Sequence, residues 1–528
     1  MTPQQTQGVS ARVVTVVLTG IAAAVLMLPT LILPLHPDQA LFAVVGRTVA
    51  AGGFPYKDAW DFKLPGLYLL YALAIHGPFD VAHNVRLFNL IWTAASSVLV
   101  AELGCRWWNR RAGLIAALVY AFVCSTDIPF WQSAQPDSLA VLPLLLSLLL
   151  YDAACGRRAY LIPAGVALGF AFQLRATTVL LVPFFPLVEL TRARTGTRAG
   201  LWLQRMLWLG AGFALVQAAI LIYLVAGGAL GEFVATMRYA AGYTRTGGAW
   251  NPSTGPTLPA YWGALREAFW NWADPRLFLV FPALAAGVVG AALGKRRIQR
   301  LLLFVVVCYV GVAAQLKFFW YHYGYMVPFL ALLGAWGWDQ LRGAIARHKG
   351  RATALLATGV ISAILLFGST ELWDNGVAAW RSYLAYYRHP KEWQGSSPTI
   401  SGLRDEQLVS RYIQERSRQH DSMYVWGFDP ALYILAGRPL GSRFVLSYPL
   451  MSRWSPPRWQ AEFVEELRER RPAYIVLHPD QPESWITGED LDAIEYINRF
   501  PAFQQLLASD YERETVLAGR ILYHRRAP

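Results

Sequence analysis

The sequence predicts a mainly α-helical, polytopic membrane protein with a small α/β domain at its C-terminal end. Hydrophobic residues make up 55% of the 528 residues and charged residues 15%, and the mean hydropathy is +0.32. This composition is too apolar for a soluble protein of this length. Apolar runs recur along the first part of the chain, whereas the composition after about residue 400 is that of a soluble domain. Residues 1–370 are therefore predicted as a transmembrane domain and residues 371–528 as a domain outside the membrane.

About eleven runs are long enough to be predicted as membrane spans. They lie near residues 12–35, 84–104, 112–128, 138–153, 159–174, 176–190, 205–226, 275–294, 300–316, 323–341 and 352–370. In the polar tail, alternating patterns predict helices at 404–419, 430–436 and 458–471 and strands at 422–426, 473–478 and 520–524. The tail is therefore predicted to fold as a small α/β domain.

The formal net charge of +13 follows the predicted topology. Lysine and arginine cluster between the apolar runs, for example at residues 295–300 and 342–351, as the positive-inside rule requires of cytoplasmic loops. The charge is therefore no sign of nucleic-acid binding. Because the number of spans is odd, the N-terminus is predicted inside and the tail outside.

The polar segment at residues 36–83 directly follows the first span and is rich in charge, with three aspartates and two lysines close together. A carboxylate near a bilayer costs free energy unless it is paired or hydrated, so Asp38 is a candidate site residue. It is equally suited to the first turn of a helix, where aspartate is favoured. Apolar and charged residues alternate at helical spacing, which predicts helices lying along the membrane surface.

Three motifs in this segment carry a resemblance to a known family. They are D-Q-A-x-F-x-x-x-G-R from Asp38 to Arg47, G-G-x-P-Y-x-D from Gly52 to Asp58, and D-x-K-x-P-G-x-Y from Asp61 to Tyr68. Together they resemble the first outer loop of the GT-C glycosyltransferases, in particular the superfamily of protein O-mannosyltransferases and lipid A aminoarabinose transferases. Further matches are Arg86, Gln135-Pro136-Asp137-Ser138 and Tyr321-His322-Tyr323. The resemblance is good over residues 1–150 and hardly extends to the tail.

The resemblance implies an enzyme that moves a sugar from a polyprenyl-phosphate donor to an acceptor at the outer face of a bacterial inner membrane, generally with inversion. The acceptor is a glycan, a lipid or a protein. Asp38 matches the catalytic carboxylate, which acts as a general base on the acceptor hydroxyl. Lys63 matches the lysine that contacts the donor phosphate. Weaker candidates for the phosphate are Arg47, Arg86 and His322, and the predicted substrate-orienting residues are Asp61, Asp137 and Tyr323.

Several of these residues have a simpler alternative role. Asp137 is also a plausible helix N-cap, the arginines also suit interfacial snorkelling, and His322 and Tyr323 lie in an aromatic cluster typical of a membrane-interface belt. Many relatives carry a second carboxylate where this chain has Gln39, which disfavours a metal-bridged carboxylate pair. No metal site is predicted, and a role for a divalent metal is left open.

Two other functions are compatible with a polytopic chain. A transporter or flippase of lipid-linked saccharides is the main alternative, but its polar groups are expected near the midplane of the membrane and its halves are often related. The ionisable residues of this chain collect at the outer rim instead. A scaffold without enzymatic activity is the third hypothesis, and it leaves Asp38 and Lys63 unexplained. Zinc hydrolysis and nucleotide-driven chemistry have no supporting motif.

Overall fold

The structure is a computed structural model that describes most of the chain. It covers residues 3–127, 129–154, 157–185, 187–188, 199–245, 258–389, 401–479, 484–487 and 491–527. The fold is mainly helical with a small sheet near the C-terminus, as predicted. The chain forms two compact units: Met1–Ile32, Arg86–Ala218 and Ala264–Arg388 make the first, and Leu33–Val85, Ala219–Gly263 and His389–Pro528 make the second. The domain boundary at residue 370 stays a prediction.

The first unit is built from helices alone in the part of it that the structure describes. Its α-helices are Pro3–Met27, Val81–Trp107, Arg110–Thr126, Pro129–Gln132, Pro136–Ala153, Leu161–Leu174, Ala199–Ala226, Leu258–Ala273, Leu277–Ala292, Arg296–Ala313, Val327–Lys349, Arg351–Phe367 and Thr370–Arg388, of which three extend into the second unit. Short 3-10 helices are Leu28–Ile32, Arg158–Tyr160, Ala176–Leu181, Asp274–Arg276 and Trp320–Met326.

Within the described ranges, five helical segments are long and apolar enough to cross a membrane. They are Arg12–Ile32, Val81–Trp107, Pro136–Ala153, Gly200–Ala226 and Pro259–Ala292. Other predicted spans coincide with helices that are shorter, such as Leu161–Leu174 with 14 residues, or more polar, such as Val327–Lys349 with 23 residues. The chain is therefore a multi-pass membrane protein by its helices, and the number eleven stays a prediction.

Small residues allow close helix contacts in the first unit. Gly212, on the helix Ala199–Ala226, lies so close to the helix Leu161–Leu174 that an added Cβ would be 2.9 Å from the backbone nitrogen of Val166. Membrane helices gain from such close approach because packing, and not expulsion of water, drives their association. A larger side chain at this position would separate the two helices.

The second unit combines the first polar segment, the segment around residues 219–263 and the tail. Its α-helices are Pro37–Ala50, Pro65–Ala74, Leu230–Arg245, Ser401–Arg416, Ala431–Ala436, Tyr448–Met451, Arg458–Arg470, Ser484–Thr487, Ala493–Asn498 and Pro501–Asp510. The strands are β1 (Met423–Trp426), β2 (Tyr474–Leu477), β3 (Tyr511–Leu517) and β4 (Arg520–Arg525), in the order β1-β2-β4-β3. Strands β1 and β2 are parallel, whereas β2/β4 and β3/β4 are antiparallel.

The six elements predicted in the tail are all present, with ends shifted by up to three residues. Strand β3 was missed. Its sequence, YERETVL, is mostly charged or polar and half of it is exposed. It lies at the edge of the sheet, where charged residues are common because they block further strand pairing. An edge strand of this kind lacks the apolar alternation by which buried strands are predicted.

The first polar segment forms two packed helices, Pro37–Ala50 and Pro65–Ala74. Gly46 allows their contact, because a Cβ there would lie 2.9 Å from both the backbone nitrogen of Ala72 and the Cβ of Tyr71. Phe42 packs edge-on against Tyr71, with ring centroids 5.5 Å apart. The predicted helices of the first outer loop are therefore present, and their placement along a membrane surface stays a prediction.

Candidate active site

Asp38 lies in the first turn of the helix Pro37–Ala50. His36 caps this helix: its Nδ1 accepts a hydrogen bond from the Asp38 amide at 3.3 Å, and its own amide donates to Gln39 Oε1 at 3.0 Å. The Asp38 side chain is 25% exposed, whereas Gln39 is fully buried. The carboxylate therefore reaches the surface at a helix N-terminus, where the helix dipole favours negative charge. Gln39, the departure from the family motif, is a helix cap.

Asp61 is buried, with 1% exposure, and organises the backbone around Lys63. Its Oδ1 accepts a hydrogen bond from the Phe62 amide at 2.7 Å, and its Oδ2 accepts one from the Tyr68 hydroxyl at 2.9 Å. The same hydroxyl oxygen accepts a hydrogen bond from the Lys63 amide at 2.9 Å. On the other side, the Tyr56 hydroxyl donates to the Lys63 carbonyl at 2.6 Å. Two buried tyrosines thus hold the backbone of Lys63.

The electrostatics of Asp61 connect the predicted base with the predicted phosphate ligand. Burial raises the pKa of the Asp61 carboxyl above its ordinary value. The charge of Lys63 and the two hydrogen bonds oppose this rise, and the negative charge of Asp38 adds to it. Both Asp38 and Lys63 therefore lie within electrostatic range of the Asp61 carboxyl.

The ammonium group of Lys63 lies over the ring of Phe62, with Nζ 4.0 Å from the ring centroid. The residue is half-buried. A cation–π contact of this kind is worth about 0.5–1 kcal/mol at an exposed site and more when the cation is desolvated. It orients the ammonium group without neutralising its charge, which suits a group that has to meet an anion.

Arg443 ties this loop to the rest of the second unit. It donates from Nη1 to the Tyr56 carbonyl at 2.7 Å, and its own carbonyl accepts from the Trp60 amide at 2.7 Å. Its guanidinium also pairs with three glutamates on two helices: Glu232 at 3.1 Å, Glu462 at 2.6 Å and Glu466 at 3.6 Å. Arg443 was not predicted from the sequence, because nothing in the local pattern distinguishes it from a surface arginine.

Arg47 contacts backbone carbonyls of the tail. Its Nη1 donates to the carbonyl of Tyr433 at 3.1 Å and its Nη2 to that of Arg438 at 3.3 Å. Arg47 lies nine residues beyond Asp38 on the same helix, which corresponds to about 13 Å along the helix axis at 1.5 Å per residue. These contacts do not test the predicted role of Arg47 at the donor phosphate. The distance between Arg47 and Asp38 along the helix favours a partner other than the donor phosphate for Arg47.

The remaining predicted residues lie in the first unit, where Arg175 connects two of them. Its guanidinium forms a buried ion pair with Asp137, each side chain being 4% exposed. Its Nη2 donates to the His322 carbonyl at 3.4 Å, and its guanidinium lies 4.2 Å from the ring centroid of Tyr325. Sequence reasoning missed Arg175, although a charge directly after the apolar run 159–174 is itself a signal of function or pairing.

His322 and Tyr323 lie among aromatic rings. His322 is edge-on to Phe319 and Tyr321, and Tyr323 stacks on Trp272 with centroids 4.7 Å apart. Arg86 is fully buried in the helix Val81–Trp107. The predicted roles of Arg86, Asp137, His322 and Tyr323 stay predictions.

Within the described ranges, no group of three or more His, Cys, Asp or Glu side chains is arranged to hold a metal ion.

Comparison with protein families matches residues 68–228 to the family described as dolichyl-phosphate-mannose-protein mannosyltransferase. The match covers less than half of the chain. It includes Arg86 and Asp137 and begins after Asp38 and Lys63, so the candidate roles of these last two depend on the motifs and the geometry. No curated protein matches the sequence.

Solved structures define the fold class. ArnT from Cupriavidus metallidurans in the apo state has a TM-score of 0.60 and 15% identity over 97% of this chain and 98% of that chain. The same protein bound to undecaprenyl phosphate has a TM-score of 0.53 and 16% identity over 98% of both chains. The archaeal oligosaccharyltransferase AglB from Archaeoglobus fulgidus, in complex with an inhibitory peptide and a dolichol-phosphate, has a TM-score of 0.51 and 11% identity over 88% of this chain and 69% of that chain. These likenesses confirm the GT-C-like fold that the sequence motifs predict.

Proposed function

We propose that the protein is a glycosyltransferase that moves a sugar from a polyprenyl-phosphate donor to an acceptor hydroxyl, with inversion, at the outer face of a bacterial inner membrane. The observation that carries the proposal is the way in which Lys63 is held: Tyr56 and Tyr68 bond its backbone, and its ammonium group lies over the ring of Phe62. The fold supports it, because the similar structures include proteins solved with undecaprenyl phosphate and dolichol-phosphate.

The proposed reaction is a single displacement. Asp38 accepts the proton of the acceptor hydroxyl while the hydroxyl oxygen attacks the anomeric carbon of the donor sugar. The bond between that carbon and the phosphate oxygen breaks, and its electron pair leaves with the polyprenyl phosphate. Attack from the side opposite the leaving group inverts the anomeric centre. A positioned general base typically contributes a factor of about 10² to 10⁴ to the rate.

Lys63 would stabilise the charge that develops on the leaving phosphate. A fixed cation at this position acts in the transition state, where negative charge on the leaving group is greatest. The hydrogen bonds of Tyr56 and Tyr68 to the Lys63 backbone hold that cation in place before the substrate arrives. Asp61 is in this scheme a positioning residue, because it acts on Lys63 through Tyr68.

The test uses purified full-length protein with a panel of polyprenyl-phosphate sugars and a cell-envelope extract as the source of acceptors. We expect Asp38→Asn to lower donor consumption by roughly 10² to 10⁴ and Lys63→Ala to lower it by a comparable factor. Asp80→Asn is the matched control, because Asp80 belongs to the same polar segment, has a 63% exposed side chain and pairs only locally with His83 among the described contacts. Retention of parental turnover by Asp38→Asn would overturn the proposal.

A further inference from the structure

A second polar feature of the second unit lies at the far end of the helix that carries Asp38. It is an open groove of about 600 Å³. Its charged lining is strongly one-sided: Arg47, Arg438 and Arg470 line it together with a single acid, Asp58, and His420 lies beside them. The groove joins the end of the helix Pro37–Ala50 and the turn after it to two loops and one helix of the tail.

The three guanidinium groups form hydrogen bonds, and none of them has a carboxylate counter-charge among the residues that the structure describes. Arg438 is 8% exposed and donates to the carbonyls of Gln414, Ala436 and Ser417 and to the Ser417 hydroxyl. Arg470 donates to the Leu440 carbonyl at 3.2 Å. Carbonyl oxygens satisfy N–H donors without cancelling a full positive charge, so these contacts leave the charge in place.

The acid in the groove is already occupied. Asp58 Oδ2 accepts a hydrogen bond from the Phe54 amide at 2.7 Å, which closes the turn between Phe54 and Asp58. Within the described part of the chain, none of the three arginines forms an ion pair with a carboxylate. Burial also lowers the pKa of Arg47, as expected for a cation that is taken out of water without a nearby anion. Arg438 is buried and Arg47 is half-buried, and charges in such places are normally paired.

We propose that this groove binds an anionic group, a phosphate or a carboxylate, of the acceptor substrate. The assignment to the acceptor rests on the proposed function. The donor phosphate has to lie one sugar carbon away from the oxygen that Asp38 activates, whereas Arg47 begins about 13 Å further along the helix. The Arg47 guanidinium is also directed to carbonyls of the tail, so its position favours a second anion over the donor phosphate. An acceptor that places its anion one or two sugar units away from the reacting hydroxyl would span this distance.

The planar guanidinium explains why arginine, and not lysine, would line such a groove. It binds carboxylate and phosphate oxygens in a bidentate manner, and several of its N–H groups remain for structural contacts. Arg47 and Arg438 use part of their donors on backbone carbonyls, which fixes their direction before a ligand binds. The anion would thus meet a preorganised site.

Binding is tested first, without any reaction. Thermal unfolding of the purified full-length protein in neutral detergent is followed with increasing inorganic phosphate, against sodium chloride of equal ionic strength. We expect phosphate to raise the Tm of the parent in a saturable way. The single variant Arg470→Gln should reduce this rise in Tm, and the double variant Arg47→Gln/Arg470→Gln should abolish it. Arg468→Gln is the matched control, since Arg468 is on the same helix, is 53% exposed and does not line the groove. An equal rise in the parent and the double variant would overturn the anion site.

A second experiment tests whether the anion that binds in the groove is part of the acceptor. Envelope acceptors are separated by anion exchange into neutral and anionic fractions and supplied at varied concentration. We expect the parent to use the anionic fraction, and Arg47→Gln/Arg470→Gln to raise the acceptor KM at least tenfold with little change in kcat. Equal use of both fractions, or competition of phosphatidylglycerol nanodiscs with turnover, would overturn the acceptor assignment. If the parent turns over neither fraction while phosphate binding depends on the arginines, the proposed function fails and the anion site stands.

Discussion

At the scale of single residues, the candidate site depends on a short hydrogen-bonded chain from Asp61 through Tyr68 to Lys63. Asp61 and Tyr68 are both buried, and no bulk water can replace a lost partner there. A buried polar group that loses its hydrogen bond costs about 1–3 kcal/mol. The hydrogen bonds from Asp61 through Tyr68 to Lys63 therefore stabilise the fold, in addition to any role of Lys63 in the reaction.

Tyr68→Phe tests this positioning role. We expect a stability loss of about 1–3 kcal/mol, because the Asp61 carboxyl and the Lys63 amide each lose a partner. The kcat at saturating donor should fall, since the cation that stabilises the leaving phosphate in the transition state is less well held. Steady-state kinetics with varied donor, together with thermal unfolding, measure both effects. A variant that loses stability but keeps the parental kcat would show that Tyr68 supports the fold alone.

At the scale of elements, the helix Ser401–Arg416 packs in the second unit against the helix Ala431–Ala436 and the strand β3. Asp429, in the loop after β1, accepts a hydrogen bond from Arg520 Nε at 2.9 Å and lies 3.0 Å from His478 Nδ1. Burial, followed by the negative charge of Asp429, raises the pKa of Glu406 on this helix to about 7. The Glu406 carboxyl is therefore buried within electrostatic range of the Asp429 carboxylate.

This arrangement predicts a pH-dependent stability. Because the pKa of Glu406 is raised in the folded state, its contribution to stability is present in acid and is lost as the pH rises from the ordinary carboxyl range towards about 7. Glu406→Gln should therefore raise the Tm relative to the parent at pH 8 and much less at pH 5. Thermal unfolding of both proteins across this range measures the difference. A constant difference at all pH values would contradict the prediction.

At the scale of the whole molecule, the second unit unites three stretches that are far apart in the sequence, and Arg443 lies where they meet. Its side chain is 5% exposed and contacts the first polar segment, the helix Leu230–Arg245 and the helix Arg458–Arg470. Removing one partner of a buried charge cluster leaves the others uncompensated, which typically costs about 3–5 kcal/mol. The loop that carries Lys63 depends on this contact.

Arg443→Met should therefore destabilise the protein by about 3 kcal/mol and lower turnover at the same time. Arg458→Met is the matched control, because Arg458 pairs with the same Glu232 and Glu462 but is 48% exposed. An exposed pair is worth about 0–1 kcal/mol, so this variant should unfold close to the parent. Thermal unfolding and donor consumption measure both variants. Equal losses of stability in the two variants would show that the burial of Arg443 does not cause the destabilisation of Arg443→Met.

Much of the fold follows from local patterns in the sequence. The helices of the apolar runs, three helices of the tail and the strands β1, β2 and β4 carry apolar periodicity that can be counted, whereas the helices Leu230–Arg245, Leu258–Ala273 and Thr370–Arg388 were not predicted. The edge strand β3 could not be predicted in this way, because its side chains are largely solvated. The candidate base Asp38 was found because a carboxylate directly after a membrane span costs free energy unless it is paired or hydrated, whereas Lys63 was assigned from the resemblance of its motif.

The amino-acid sequence by itself determined the helical membrane class, the α/β tail and the motifs around Asp38 and Lys63, because each is a local pattern of polarity and spacing. Only the tertiary structure decided that Gln39 is a helix cap, that Asp61 holds Lys63 through Tyr68, and that Arg47 lies with two arginines of the tail in one groove. The contacts of Gln39 and Asp61 are local and depend on how the first polar segment folds, whereas Arg47 and its partner Tyr433 are 386 positions apart. In each case the partner is set by how the chain folds, which a local pattern of polarity and spacing does not show.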